Sequence, residues 1–542
     1  MANFVYKTVP YKHQEDAVYA AYGKEYFAFF MQQGTGKTKV TIDEASNLFL
    51  EKKITAVLLI APNGVHEQWA DEQLPIHSPV PYSVQVWDGN TSDRKMREVF
   101  QFIKFPCDGL KWFCVNIDAF SHSTWISLFR DFVMLNKTYV VVDEATRIKN
   151  PEAKRTQNVI QGLNNVSKVG KRITGIQYLS LYRRLLTGTQ VTNGPYNLWS
   201  MGEFLKTNLF GRDYFSFKAR YGMEVRMAGA RGDYYRKITR EEIESVRKYA
   251  KIGKDPETIA TIMKVTESSV RFILDNPSVR VPYKHLEELK EIVNKNSFQV
   301  LKKDCFDLPP KIYEKIPVQM KGEQLRVYKE LKAELLAEYE GVEASVVNRL
   351  VLIGRLQQVT GGFFPGDGKD NDTQLIPFDV NPKLDAMVEK LEEASDYPVI
   401  VMARFVAELH ACVDRFKKEF PDLVVELVCG EVTGHKRMDV LNRFKAGEVD
   451  ILVANPDTIA TGFNLQVSHT ILVYSNSFNY EHREQGEDRI HRNGQTESCL
   501  YMDFVMKGTV DEHVLRALKD KRDLLEYMRD RSLKQFIGGE DE

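Results

Sequence analysis

Residues Tyr26 to Thr38, YFAFFMQQGTGKT, decide how the first half of the chain is read. The apolar run ending at Met31 has the length and bulk of a buried strand, and a glycine-marked turn follows it. Gly34, Thr35 and Gly36 let the backbone wrap around a phosphate chain, while the helix start beyond them offers N–H donors. Lys37 is placed to reach the outer phosphates and Thr38 to hold Mg²⁺. The full phosphate-loop pattern wants a glycine where this chain has Met31. The shortened pattern alone also fits a plain strand–turn–helix.

Outward from this turn, apolar runs alternate with amphipathic sequence. Tyr26 to Met31, Ala56 to Ala61, Trp112 to Ile117 and Tyr139 to Val142 read as buried strands. The pattern resumes after Pro382, with strands expected at Pro398 to Met402, Val424 to Val428, Ile451 to Ala454 and Thr470 to Tyr474, and a helix over Phe405 to Phe416. Such alternation predicts parallel sheets covered by helices. The fold class is therefore α/β, with two such domains flanking a middle region of helical period, about 200 to 380. MAGARGD (Met227 to Asp233) and GGFFPGDGKDND (Gly361 to Asp372) interrupt that region as loops. Asp511 to Lys534 has the period of a bracing amphipathic helix, and the tail Gly538 to Glu542 is expected to fray.

A second site element is Val140-Val141-Val142-Asp143-Glu144. A strand ending in two carboxylates puts Asp143 where it can hold Mg²⁺ and Glu144 where it can polarise an attacking water. Adjacent acids also occur simply as helix-start charges. A third is Gln485 to Arg492, QGEDRIHR. Arg489 and Arg492 would share a face if the segment is helical, and two guanidinium groups there suit charge developing on a γ-phosphate. An exposed, salt-bridged helix is the plainer alternative.

Composition narrows the classes. The 542 residues are 43% hydrophobic and 27% charged, ordinary for a globular chain. At about 150 residues per domain they allow three to four units. Lys plus Arg number 74 against 75 Asp plus Glu, so any polyanion site must be local. The six cysteines are scattered without a CxxC pair, which fits neither a zinc site nor a disulfide framework. His13, His410, His435 and His491 have no ligand spacing. No run is long and apolar enough to span a membrane, and the N-terminus lacks a signal-peptide core. The expectation is a soluble protein of a reducing compartment.

In this order and spacing, the three site elements resemble superfamily-2 helicase-like ATPases, and the intervening motifs are similar to the SWI/SNF-type branch of DNA translocases. DEATRIKN, Asp143 to Asn150, resembles that branch's motif II, and LLTGTQVTN, Leu185 to Asn193, its motif III. Ile60-Ala61-Pro62 with Trp69 is similar to motif Ia, DTIATGFNL (Asp457 to Leu465) to motif V, and DRIHRNGQ (Asp488 to Gln495) to motif VI. Thr146 stands where the branch has His, and Gln190 where it has Pro, which bears on coupling more than on ATP binding. The resemblance covers roughly 1 to 210 and 285 to 525 and points to a compact bacterial or viral member.

The resemblance implies two RecA-like lobes with ATP, Mg²⁺ and DNA as ligands. Gln14, beside Tyr11, takes the place of an adenine contact. Gly34, Thr35, Gly36, Lys37 and Thr38 cradle the phosphates. Thr38 and Asp143 hold Mg²⁺, Glu144 activates water, and Arg489 and Arg492 complete the site on closure. Gly462 and Asn464 are candidates for linking nucleotide to DNA. The activity implied is ATP-driven translocation on duplex or branched DNA that remodels DNA or proteins bound to it. Alternatives are a strand-separating DNA or RNA helicase and a nucleotide-gated DNA-binding regulator with weak hydrolysis. A monomer in the cytoplasm of a bacterium or of a virus-infected host cell is expected, with no membrane partner.

The expected boundaries are 1–225 for the ATP-binding lobe, 226–284 for a mainly helical insertion, 285–380 for a helical connector, and 381–542 for the second lobe with its bracing helix. Within the insertion, PETIATIMKVTESSVRFIL (Pro256 to Leu274) has the apolar spacing of a helix-turn-helix, turning near Lys264 to Thr266. Lys264, Ser268, Ser269 and Arg271 are its candidate DNA contacts, the last three on an outward recognition face. A purely structural bundle has the same spacing. Phe363 and Phe364 can be read as base-stacking residues or as a loop anchor.

Overall fold

The buried strands of this chain carry almost nothing but apolar and β-branched residues, and that dictates sheets covered on both faces. The computed structural model describes residues 4–89, 92–160, 175–188, 195–227, 234–277, 279, 282–338, 346–364, 375–393, 397–432, 434–459 and 464–520. Two units divide at Leu301/Lys302.

In the first unit, β1 (Tyr26–Met31), β2 (Ala56–Ala61), β3 (Tyr82–Trp87), β4 (Leu110–Asn116), β5 (Thr138–Val142), β6 (Tyr182–Thr187) and β9 (Ser297–Val300) form a seven-stranded sheet. Its order is β3-β4-β2-β5-β6-β1-β9, with every pairing parallel. A separate antiparallel ribbon, β7 (Glu224–Met227) with β8 (Tyr234–Lys237), lies outside that sheet. The second unit holds β10 (Lys311–Val318), β11 (Val399–Met402), β12 (Val425–Val428), β13 (Ile451–Ala454), β14 (Thr470–Val473) and β15 (Cys499–Met506), in order β10-β15-β14-β11-β13-β12, again all parallel. These are the two parallel-sheet α/β units expected from the sequence.

The expected apolar strands are present with ends shifted by at most two residues, and the expected helix is Val406–Glu419. The middle region is a correction. It contributes β7, β8, β9 and β10, so it is not helical throughout, and 285–380 is more than a connector because β9 joins the first sheet and β10 the second. Both are short or half-exposed edge strands, which carry weak apolar signals. The bracing helix is described as Val510–Lys519, and the residues after Asp520 lie outside the described ones.

The insertion folds around its own core of Met223, Val225, Ile238, Ile243, Val246, Ile259, Ala260, Val270 and Ile273, none shared with the sheets. Its three helices are Arg240–Lys251, Pro256–Met263 and Glu267–Asp275. Asp255 and Thr266 cap the latter two through side-chain oxygens, and Lys264 takes the left-handed turn between them at φ 54°. A bridge between Gly222 and Tyr283 brings the two ends of the insertion together.

Two of the strands that an apolar-run search did not find, β6 and β15, hold buried charge. On β6, Arg184 is fully buried and paired with Glu44 of the helix Lys37–Leu50. Its guanidinium also donates to the carbonyls of Lys24 (2.8 Å), Glu25 (3.2 Å) and Arg183 (2.8 Å). Tyr139 of β5 donates to the same carboxylate at 2.8 Å. On β15, Asp503 receives Arg483 at 2.7 Å.

Breaking the first pair should be costly. Arg184→Met strands a buried carboxylate and is expected to lower stability by ~3–5 kcal/mol. Adding Glu44→Leu should recover much of the loss in thermal unfolding. A second expectation concerns Glu408, 1% exposed, whose Oε2 accepts from Phe405 N–H at 3.1 Å and from Ser475 while Oε1 has no partner among the described residues. Burial pushes its carboxyl up to about 7 from 4.5. The folded state favours the neutral acid, so stability should decline as pH rises through that window, by ~3 kcal/mol at most. Glu408→Gln should flatten this decline in unfolding melts from pH 4.5 to 8.

Candidate nucleotide site

Three neighbouring strands, β5, β6 and β1, deliver their carboxyl ends side by side, the position at which open parallel sheets bind ligands. After β1 the chain turns through Gly34 (φ 83°) and Gly36 (φ 91°), and the helix Lys37–Leu50 begins at once. Both glycines occupy the left-handed region that side chains disfavour. At Gly36 space is a further constraint, since a Cβ would lie 2.1 Å from Gln14 Nε2.

Gln14 roofs the turn. Its amide donates to Thr35 O at 3.1 Å and accepts from Tyr11 N–H at 3.0 Å, while His13 Nε2 contacts Thr35 O at 2.8 Å. Thr35 Oγ1 donates to Gln32 O at 2.7 Å. Lys37 Nζ donates to Met31 O at 3.1 Å, and Thr38 is half-buried in the first helical turn. Gly188, following β6, packs so closely that a Cβ would be 2.7 Å from Gln33 Cγ and 3.1 Å from Lys37 Nζ. The structure thus brings the start of the LTG motif onto the glycine turn after β1. Gln190 and the rest of that motif to Asn193 lie outside the described residues.

The acidic pair ends β5. Asp143 N–H donates to Ile60 O at 2.8 Å, extending the sheet register by one residue. Its carboxylate receives Trp69 Nε1 at 3.0 Å on Oδ2 and Glu144 N–H at 2.9 Å on Oδ1. Burial and the neighbouring Glu144 push the Asp143 carboxyl up to about 6, against Lys37 and the Trp69 hydrogen bond. Glu144 has left-handed backbone angles, φ 48° and ψ 58°, a strain of roughly 1–2 kcal/mol for a non-glycine residue. Gln33 Nε2 reaches its Oε1 at 3.4 Å, whereas Oε2 is buried with no partner among the described residues. Strain and an unsatisfied acceptor on one residue make Glu144 a candidate functional position.

Sequence reading missed two participants. Trp69 was noted only as part of a motif, yet it orients Asp143, and Gln33 was unassigned, yet it holds Glu144. Neither residue type at that spacing signals such a role. For a metal, Thr38 and Asp143 supply oxygen donors only, and the described residues hold no cluster of three His, Cys, Asp or Glu. That set suits Mg²⁺, which keeps several waters and takes other ligands from phosphate.

In the second unit the arginine motif corrects one expectation. The helix Tyr480–Glu487 stops before it, so Arg489 and Arg492 lie in successive turns and share no helical face. The turn is fixed by neighbours pointing inward. Asp488 pairs with Lys302 at 2.9 Å and Lys311 at 3.2 Å, and Glu487 with Lys311 at 3.0 Å and Arg483 at 2.7 Å. Ile490 is fully buried, and Gln495 Nε2 donates to the carbonyls of Gln466, Ser468 and Ile490. Arg489 is 5% exposed, and burial lowers the pKa of the half-buried Arg492 with Asp488 opposing. Asn464 is exposed, and Gly462 lies outside the described residues.

Among the insertion candidates, Lys264, Ser268 and Arg271 are exposed, but Ser269 is 1% exposed, which corrects its outward placement. It is turned to the Thr266 cap, 2.8 Å between the two hydroxyls. Arg271 is paired with Glu267 at 2.5 Å. Phe363 is 4% exposed and Phe364 packs on Phe378 at 4.1 Å, so this pair anchors its loop.

The SNF2-related domain matches residues 29–360, and the helicase conserved C-terminal domain matches 382–494. The chain is similar to the "Uncharacterized ATP-dependent helicase MG018" of Mycoplasma genitalium, 23% identical over 91% of this chain and 39% of that protein. It therefore spans well under half the length of that relative. It is also similar to "Putative protein p41" of Acyrthosiphon pisum secondary endosymbiont phage 1, at 22% identity over 90% of this chain and 91% of that one. A solved structure, "Sulfolobus solfataricus SWI2/SNF2 ATPase core in complex with dsDNA", aligns over 99% of both chains at 20% identity, with a TM-score of 0.37.

The turn itself can be tested without reference to activity. Gly36→Ala must distort a left-handed residue and displace Gln14, so it should cost ~1–3 kcal/mol in thermal unfolding. Adding Gln14→Ala should relieve the collision but leave the backbone strain. Full recovery in the double variant would show that φ at Gly36 is unimportant.

Proposed function

The chain belongs to the SNF2-related family, and from that premise we propose that it is a DNA-dependent ATPase that couples ATP hydrolysis to movement along duplex or branched DNA, remodelling the DNA or proteins on it. The observation carrying the hydrolytic part is Glu144, whose buried Oε2 has no partner among the described residues, beside Asp143 and the glycine turn.

In this reading Gly34, Thr35 and Gly36 present backbone N–H groups to the phosphates, and Gln14 fixes the turn's outer face. Lys37 exchanges its bond to Met31 O for one to the outer phosphates. Thr38 and Asp143 hold Mg²⁺, which supplies positive charge against the phosphate oxygens when bound. Glu144 Oε2 accepts a hydrogen bond from water, whose oxygen attacks the γ-phosphorus as the bond to the β-phosphate bridging oxygen breaks. The proton passes through Glu144 to the released phosphate, and ADP leaves. Arg489 and Arg492 are assigned to charge on the transferring phosphoryl group. Gly462 is assigned to the nucleotide through its motif alone. DNA is gripped through its backbone, so binding should be salt-sensitive and largely indifferent to sequence.

The test is steady-state ATP hydrolysis without nucleic acid and with single-stranded, duplex and forked DNA and RNA. Duplex or forked DNA should stimulate turnover strongly. Glu144→Gln should remove roughly 10²–10⁴-fold of it while ATP still binds. Triplex displacement without unwinding of tailed duplexes separates a translocase from a strand-separating helicase. Hydrolysis indifferent to every nucleic acid overturns the proposal.

A further inference from the structure

The recognition face expected on the helix Glu267–Asp275 is poor in positive charge. Its exposed residues include Glu267, Arg271 and Asp275, and the first two neutralise each other. A different group gives the start of this helix its charge. Lys284, seventeen residues after Glu267 and outside the helix-turn-helix, is 5% exposed. Its ammonium has one hydrogen bond among the described residues, to Ser268 Oγ at 3.3 Å, and no carboxylate partner. Burial alone lowers its pKa, with no neighbouring charge in opposition.

A buried lysine without a counter-ion is costly, and native structures either pair such a charge or use it. Here it lies behind the first turn of a nine-residue helix. Ser269 and Val270 N–H are taken by Thr266 O, at 3.0 and 3.2 Å. Glu267 and Ser268 N–H have no acceptor among the described residues, and the helix dipole adds to the positive potential there. Exposed Lys264, on the left-handed turn just before, gives a second cation. An anion with several acceptor oxygens would answer all of these donors.

We propose that Lys284, Ser268 and the N–H groups opening the helix Glu267–Asp275 form a docking site for one backbone phosphate of duplex DNA, with Lys264 at its rim. The insertion then holds DNA by its backbone, which makes it a sequence-blind second grip. This rests on the reading that the chain binds DNA.

Full-length Lys284→Gln and Ser268→Glu test it. The first keeps a hydrogen-bonding group but removes the charge, and the second places a carboxylate beside it at an exposed helix start. Duplex affinity is measured by fluorescence anisotropy for two unrelated sequences across a salt series, beside DNA-free ATP hydrolysis and thermal unfolding. Each variant should weaken both duplexes equally, by roughly tenfold. The slope of log affinity against log salt should shrink by about one. DNA-free hydrolysis should be unchanged, and Lys284→Gln should melt no lower than wild type because an uncompensated charge has gone. Wild-type affinity and slope in both variants would overturn the inference, as would affinity lost only together with a lowered melting temperature. Failure of the wild-type protein to bind any duplex is visible before a variant is made, and it sinks the parent reading instead.

Discussion

An arginine with no exposed surface, paired with a carboxylate on the helix that follows the glycine turn after β1, sets the frame for the first unit. Arg184 and Glu44 lock the helix Lys37–Leu50 to β6, and Arg184 also binds carbonyls of the segment leading into β1. The strand before the turn and the helix after it are thereby both tied to β6. Between them lie the two left-handed glycines and the Gln14 roof. Charge in a low-dielectric interior is tolerable only when matched in place, so a pair like this contributes geometry more than net stability.

The second unit obeys the same constraint on a larger scale. Lys302, Lys311 and Arg483 face Glu487, Asp488 and Asp503, three cations against three anions. They span β10, β15, the helix Tyr480–Glu487 and the turn carrying Arg489 and Arg492. In DRIHRNGQ, Asp488, Ile490 and Gln495 face inward, and His491 contacts Pro309 O at 2.8 Å. Much of that motif's specificity is therefore architectural.

This also explains what could be read in advance. Strands such as Ala56–Ala61 and Ile451–Ala454 are uniformly apolar and were legible residue for residue. β6 and β15 were not, because Arg184 and Asp503 interrupt them, and a charge in a one-dimensional pattern looks solvent-exposed until its partner is known. The edge strands β9 and β10 hid for the opposite reason, being short or half-exposed. At the nucleotide site, spacing disclosed Lys37, Asp143 and Glu144. Trp69 lies 74 residues from Asp143 and Gln33 111 residues from Glu144, so only the folded chain reveals them as partners. In the insertion the two short helices were readable, whereas Ser269 was placed on the wrong face because the Thr266 cap draws its hydroxyl inward.

The bridge between Gly222 and Tyr283, with Met223 N–H on Pro282 O at 3.0 Å, means that the insertion begins and ends at adjacent points of the first unit. The described residues between them include a core of their own. A segment so arranged is a cassette: a single genomic event could add, remove or exchange it without disturbing the register of either large sheet. The insertion is thus a natural place for lineages to diverge while the rest of the molecule stays fixed.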